Sequence, residues 1–407
     1  MSYNSRARQR STGGNYGGNS RSRFKNNRSK SRNLVKGRGQ YIDPAKFVCE
    51  AKFSEVEAYV PTHTFSEFQA HQLIKDNLAA KGYKTPSPIQ DQTIPLGLEG
   101  HDVIGIANTG TGKTAAFSVP VLNKLLKNPH SKVLVVAPTR ELAQQIEVEM
   151  RSIGKNSGLF SVLLIGGTPM GPQLRDLRHK PRVVIGTPGR IKDHLERGTL
   201  HLATFDQVVL DEVDRMLDMG FLPDMRFILD NLKEQRQSFF FSATMDKRVE
   251  ELIKSFSNNP ITVSVKTSDT SDNVHQNVIH YASKADKIEK LHEALIEDSV
   301  KKVIIFDETQ RSVERLNQEL ASRGFATDAI HGGKSQNQRQ RALSKFKKSN
   351  IDILVATDVA ARGIDVSDIT HVINYTIPQT YEDYTHRVGR AGRAGKTGYA
   401  FTFVPSS

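Results

Sequence analysis

The chain has no tryptophan, one cysteine and, in its first forty residues, neither aspartate nor glutamate. The lone Cys49 excludes an intrachain disulfide and any zinc site built from several cysteines, and it fits a reducing compartment. Long apolar runs are missing too. The longest, such as Val133–Ala137 and Val303–Phe306, are far too short to span a bilayer, so no membrane partner is expected. The N-terminus lacks the apolar stretch of a secretory signal, and a cytoplasmic place is expected, with a nuclear one left open.

What is present points to a soluble protein with more than one core. The 407 residues are 37% hydrophobic and 25% charged, enough for two domains of ordinary size. The net charge of +13 is unevenly placed. Residues 1–40 hold eleven Lys or Arg, and subtracting them leaves +2 for the rest of the chain. This tail, rich in Ser, Gly, Asn and Arg, cannot bury enough surface to offset its ordering entropy, so it is expected to be disordered. Tyr3, Tyr16 and Phe24 lie among its cations, a composition suited to loose contact with single strands of nucleic acid.

From about residue 63 short apolar runs alternate with helix-length amphipathic segments. The runs include Asp102–Ala107, Lys132–Ala137, Ser161–Ile165, Arg182–Ile185, Gln207–Leu210 and Ser238–Phe241. After the polar stretch at 266–273 the alternation resumes with Lys302–Phe306, Thr327–Ile330, Asp352–Ala356, His371–Tyr375 and Tyr399–Val404. Continuous apolar strands between helices predict parallel sheets covered on both faces. The expected fold is α/β with two tandem domains. The expected limits are a tail over 1–40, an N-terminal extension over 41–62, domains over 63–265 and 274–407, and a linker over 266–273. The chain stops soon after the last run, so no C-terminal specificity module is expected.

The strongest motif is Ala107-Asn108-Thr109-Gly110-Thr111-Gly112-Lys113-Thr114, which follows an apolar strand and opens a helix. Glycines there let backbone amides close around phosphates. Lys113 reaches the β- and γ-phosphates, Thr114 ligates a magnesium ion, and the helix N-terminus favours the anion. Asp211-Glu212-Val213-Asp214 directly follows the strand-like Val208–Leu210. Asp211 is placed to hold the magnesium ion through water, and Glu212 to orient the attacking water. In the other domain Arg387, Arg390 and Arg393 recur every third residue among glycines. Arg390 and Arg393 are the candidate fingers that reach a γ-phosphate across a cleft.

In this order, these residues resemble the DEAD-box family of superfamily-two RNA helicases over about residues 63–405. The phosphate loop has the family's A-x-T-G-x-G-K-T form, and Gly82–Gln90 is similar to its Q motif. The acidic motif departs from the name-giving tetrapeptide only in Val213 for alanine. The resemblance implies two RecA-like domains, ATP and Mg²⁺ as cofactors, and hydrolysis to ADP and phosphate coupled to local RNA unwinding or remodelling. It implies that Gln90 reads the adenine edge and that Phe65 packs on the base, with Tyr83 in the same motif. Asp365, in the segment Arg362–Asp365, would contact the ribose. Thr139, Arg140, Gly167, Thr187 and Arg190 would contact RNA from the first domain, and Arg339 and Thr357 from the second. Asp214, Ser242, Thr244 and His386 would couple hydrolysis to unwinding. The RNA would be single-stranded or a short duplex, held with little sequence preference, by a monomer that also meets ribonucleoprotein partners. An ATP-gated RNA clamp that unwinds little shares all these motifs and is the alternative.

Overall fold

The computed structural model describes residues 42–51, 59–108, 110–265, 273–361, 366, 368–392 and 396–406. The tail at 1–40 and residues 266–272 of the expected linker lie outside them, as do Thr109, Asp365 and Arg393.

The first sheet comprises β1 (Val103–Ile106), β2 (Val133–Val136), β3 (Ser161–Leu164), β4 (Val183–Gly186), β5 (Gln207–Leu210), β6 (Gln237–Ser242) and β7 (Ile261–Ser264). The second comprises β8 (Val274–Tyr281), β9 (Val303–Phe306), β10 (Thr327–Ile330), β11 (Ile353–Ala356), β12 (His371–Asn374) and β13 (Gly398–Pro405). Spatial order is β3-β4-β2-β5-β6-β1-β7 in one and β10-β11-β9-β12-β13-β8 in the other, and every pair of strands is parallel.

Parallel neighbours need crossovers, and helices supply them. Around the first sheet run α1 (Gln72–Ala80), α2 (Pro88–Glu99), α3 (Lys113–Lys127), α4 (Arg140–Ile153), α5 (Met170–Arg178), α6 (Pro188–Glu196), α7 (Val213–Asp218), α8 (Leu222–Asp230) and α9 (Lys247–Phe256). The second carries α10 (Lys284–Leu295), α11 (Gln310–Ser322), α12 (Gln336–Lys347), α13 (Asp358–Ala361) and α14 (Tyr381–Val388). This is the expected α/β architecture of two parallel-sheet domains flanked by helices.

Each sheet is buried on both faces, which is why its strands read as unbroken apolar runs. In β6, Phe239 and Phe241 pack into the core on one face while Phe240 packs into the core on the other. Full burial of such a side chain contributes about 1.5–3 kcal/mol. Strand β8 breaks the pattern. It is an edge strand reading VHQNVIHY with mostly half-buried positions, and its sequence carries no apolar run.

The N-terminal extension divides between the two domains. Residues 42–51 form a 3₁₀ turn (Pro44–Phe47) and one antiparallel bridge, Cys49 to Gln276, on the outer edge of β8. Residues 59–63 dock instead on Asp91 of α2. The Asp91 carboxylate accepts from Tyr59 Oη at 2.6 Å and from the backbone of Thr62 and His63 at 2.8 and 3.1 Å, and pairs with His63 Nδ1 at 2.7 Å.

Burial pushes the Asp91 carboxyl up, but the hydrogen bonds from Tyr59, Thr62 and His63 outweigh it and hold the pKa below the ordinary carboxylate value. A folded-state pKa below the unfolded one gives stability that is present above the unfolded value and lost as pH falls through the folded one. Asp91→Ala is therefore expected to lower stability by about 1–3 kcal/mol at neutral pH. The difference from wild type should shrink in acid, as followed by denaturant titrations between pH 7 and pH 3.

Candidate active site

Sheet order sets the site. Strands β5, β6 and β1 are neighbours, so the loops at their C-terminal ends meet: Asp211-Glu212-Val213-Asp214 after β5, Ala243-Thr244 after Ser242 of β6, and the glycine-rich loop after β1. Ligand sites of open parallel sheets form at such strand ends.

The phosphate loop is braced from within and from α2. Gly110 and Gly112 hold φ of 84° and 90°, a conformation that side chains rarely adopt. Lys113 begins α3, is buried, and donates from Nζ to the Ala107 carbonyl at 3.0 Å. Thr111 Oγ1 donates to the Asn108 carbonyl at 2.8 Å, and Ser87 Oγ to the Thr111 carbonyl at 2.7 Å. Thr114, the second residue of α3, is half-buried. Gln90 is held at both ends: Oε1 accepts from the Ser87 amide at 2.9 Å, and Nε2 donates to the Gly112 carbonyl at 3.1 Å. A Cβ at Gly112 would meet Gln90 Nε2 at 2.3 Å, so loop and amide fit only with glycine there. Gln90 therefore shapes the loop itself, a role its sequence position did not suggest.

Phe65 and Tyr83 lie together beside α2, edge to face with ring centres 5.2 Å apart, and the Tyr83 hydroxyl donates to Glu149 at 2.9 Å. Gln90→Ala removes the bond to the Gly112 carbonyl of the loop and the bond from the Ser87 amide at the start of α2. It is expected to weaken ATP binding about tenfold, the upper end for one net hydrogen bond, and an ATP titration in the absence of RNA reads this.

The acidic loop is tightly buried. Burial pushes the Asp211 carboxyl up to about 6; Lys113 opposes that shift and Glu212 adds to it. Glu212 is held at φ 54° at the start of α7. Burial raises its pKa, but Arg215, Lys113 and Arg390 together keep it below the ordinary value. Arg215 Nε lies 3.6 Å from Glu212 Oε2, and both that oxygen and Arg215 Nη1 are buried without a hydrogen-bond partner. Arg215 was not among the sequence candidates; its only signal is the three-residue spacing from Glu212. Asp214 faces the other way: Oδ2 accepts from the amides of Ala243 and Thr244, both at 3.0 Å, and from Thr244 Oγ1 at 3.2 Å. The Asp214 amide donates to Ser242 Oγ at 3.3 Å. The structure thus joins Asp214, Ser242 and Thr244 in one network.

From the second domain α14 carries His386 to this centre, with Arg390 just beyond it. His386 is pushed down to about 4 by burial and by Arg215 and Arg390, and so stays neutral at physiological pH. Arg387 behaves differently. Its Nε and Nη2 grip Asp358 at 2.5 and 2.6 Å, and Nη1 donates to the Thr376 carbonyl at 2.7 Å and to Asn374 at 3.2 Å. Of the three evenly spaced arginines, Arg387 is committed to its own domain and Arg390 acts on Glu212, while Arg393 lies outside the described residues.

The residues expected at RNA cluster at helix starts. Thr139 and Thr187 are the N-cap residues of α4 and α6, and Thr357 immediately precedes α13. Arg140 lies against Gly166 and Gly167; a Cβ at Gly167 would come within 2.0 Å of its guanidinium. Arg190 Nη1 donates to the Thr168 carbonyl at 3.4 Å. Arg339 has a partner in the first domain. It is buried across the domains, Nη2 2.9 Å from Glu141 Oε2, with Gln336 donating to the other Glu141 oxygen at 3.1 Å. The guanidinium here links the two domains through a buried carboxylate, while its Nε is buried without a hydrogen-bond partner.

Two family profiles match the chain: DEAD/DEAH box helicase over residues 87–252 and helicase conserved C-terminal domain over residues 286–395. The chain belongs to the DEAD-box helicase family. It is 44% identical over 347 residues to the DEAD-box ATP-dependent RNA helicase CshA of Bacillus licheniformis, covering 84% of this chain and 71% of that protein. With CshA of Geobacillus kaustophilus it is 46% identical over 343 residues, covering 84% and 73%. Among solved structures, S. cerevisiae Dbp5 bound to RNA and ADP BeF3 matches with a TM-score of 0.75 at 29% identity, covering 84% of this chain and 90% of that one. Mss116p bound to ssRNA and AMP-PNP matches at 0.76 and 30%, covering 85% and 77%. As a DEAD-box chain it carries valine, fully buried, at the third position of the tetrapeptide.

Proposed function

We propose that this DEAD-box protein is an ATP-dependent RNA helicase that hydrolyses ATP to ADP and phosphate while locally opening RNA duplexes. The observation that carries the reading is the meeting of two half-sites: Lys113, Asp211 and Glu212 from the first domain with Arg390 and His386 from the second. Neither half is sufficient. A phosphate loop alone binds nucleotide, and the finger arrives only when the domains close.

The donor set fits a magnesium nucleotide. Thr114 and Asp211 offer hard oxygens, Gly110 and Gly112 give the loop its left-handed turns, and Glu212 Oε2 is a buried acceptor without a hydrogen-bond partner. Thr114 and Asp211 would hold the magnesium ion, which supplies charge neutralisation on the phosphates. Lys113 would shift from the Ala107 carbonyl to the phosphates, Glu212 would take and orient the attacking water, and Arg390 would meet the charge that develops on the γ-phosphoryl group. Val213 replaces alanine inside a packed core and leaves both carboxylates in place.

RNA is read as a substrate of both domains. The helix starts at Thr139, Thr187 and Thr357, with Arg140 and Arg190, suit phosphate and 2′-hydroxyl recognition and give little base preference. The Arg339–Glu141 clamp forms only when the domains are together, so RNA and ATP binding are each expected to favour the other. Displacement of a short RNA strand, measured with and without ATP and with a DNA duplex as control, tests the reading. ATP-dependent loss of the RNA duplex alone is the expected result. ATP hydrolysis without displacement would favour a clamp, and no RNA-stimulated hydrolysis at all would overturn the assignment.

A further inference from the structure

Helix α7 divides its residues between two neighbours. Val213, Met216 and Leu217 pack into the core of the first domain. Glu212 and Arg215, three positions apart, fall together on another side. The Arg215 side chain is 4% exposed, and among the described residues its one ion pair is with Glu212. Its cover on that side comes from the second domain. Arg215 shares a narrow cavity of about 10 Å³ with Phe306, Asp358, His386, Arg387 and Arg390.

Arg215 Nε stands 3.6 Å from Glu212 Oε2, within reach of charge but too far for a hydrogen bond. That oxygen and Arg215 Nη1 are both buried without a hydrogen-bond partner. The carboxylate is thus held by attraction, while the lone pairs of Oε2 stay open to a water. A closer guanidinium would occupy the same lone pairs. Burial strengthens the hold, because two charges in a low-dielectric interior attract several times more than two facing water. An arginine that only fastened α7 would spend its nitrogens on fixed acceptors, as Arg387 does in its own domain. Arg215 Nη1 has none.

We propose that Arg215 is a positioning residue for the ATPase reaction: covered by the second domain on closure, it holds the Glu212 carboxylate in place without occupying the oxygen that takes the attacking water. The proposal rests on the reading of Glu212 given above. The left-handed backbone at Glu212, φ 54°, fixes where the side chain starts, and Arg215 fixes where it ends. In the open chain Arg215 faces solvent, the pair is screened, and the carboxylate swings more freely. Closure, the movement that brings Arg390, then sets the base as well.

Full-length chains carrying Arg215→Gln, Arg215→Lys, Glu212→Gln, and Arg215→Gln combined with Glu212→Gln test it. Arg215→Gln should lower RNA-stimulated kcat about 10- to 100-fold, up to the cost of misplacing a reacting group by about 1 Å. KM for ATP and the RNA concentration for half-maximal stimulation should stay as in wild type. Arg215→Lys should recover most of the rate, since the role needs a charge at a distance and not a fork. In single-turnover assays the double variant should be no slower than Glu212→Gln, because a residue acting only through Glu212 has nothing left to place. Should melting show that the glutamine variant does not fold, Arg215→Met, which keeps the packing of the stem, takes its place in the same cycle. Additive losses, a raised KM with kcat unchanged, or a folded Arg215→Lys as slow as Arg215→Gln would each overturn the proposal. Wild-type turnover by Arg215→Gln beside a crippled Glu212→Gln would also overturn it, and would leave the reading of Glu212 standing. Wild-type turnover by Glu212→Gln would sink both.

Discussion

Glu212→Gln is expected to reduce RNA-stimulated ATP turnover by about 10²–10⁴-fold, the usual contribution of a positioned general base, while ATP and RNA still bind. Glutamine keeps the length of the side chain and the left-handed backbone at φ 54°. What it loses is the carboxylate that Arg215, Lys113 and Arg390 hold ionised in a buried place. That charge orients and deprotonates water, whereas the loop's backbone amides and the helix N-terminus that hold the phosphates do not depend on it. Nucleotide affinity should therefore persist, and RNA should dissociate more slowly because the closed state outlives its normal reopening step. Steady-state turnover and nucleotide binding measured on the same preparation check this. Turnover at the wild-type rate would show that another group activates the water.

The centre of this site was legible in the sequence because each motif follows a strand buried on both faces. Val133–Val136, Val208–Leu210 and Phe239–Phe241 announce themselves as apolar runs, and the loops behind them fall at one edge of a parallel sheet. Strand β8 was not legible, since an edge strand with one half-exposed face has no such run. Nor was the place of residues 42–51. Backbone atoms make the Cys49–Gln276 bridge, and no side-chain pattern records it. Arg339 shows a third limit: its partner Glu141 lies on a helix of the other domain, and a cation spaced for phosphate reads the same as one spaced for a carboxylate. Gln90 was found by its motif, yet its bond to the Gly112 carbonyl depends on how closely α2 approaches the loop.

Arg387 and Arg390 show the same limit within one motif and give the second large effect. Sequence spacing makes them equivalent, but the structure gives them different work. Arg387 is buried and binds Asp358 through two nitrogens, with its third directed at Thr376 and Asn374. Removing it leaves a partly buried carboxylate and a carbonyl without donors. Arg387→Ala should thus cost about 3 kcal/mol, the low end for breaking a buried pair because Asp358 keeps some contact with water. Lysine should not rescue it, since a single ammonium cannot replace a bidentate fork. The Arg390 charge helps hold the Glu212 carboxyl low from the other domain, beside the place where the reacting phosphate would lie. Arg390→Ala should lower turnover by about 10³–10⁵-fold, the range measured for arginine fingers, with much less effect on melting. Thermal denaturation and RNA-stimulated ATPase on both variants separate the roles. Equal losses of stability would mean that Arg390 is a second structural clamp, and a stable but inactive Arg387→Ala would move the finger to Arg387.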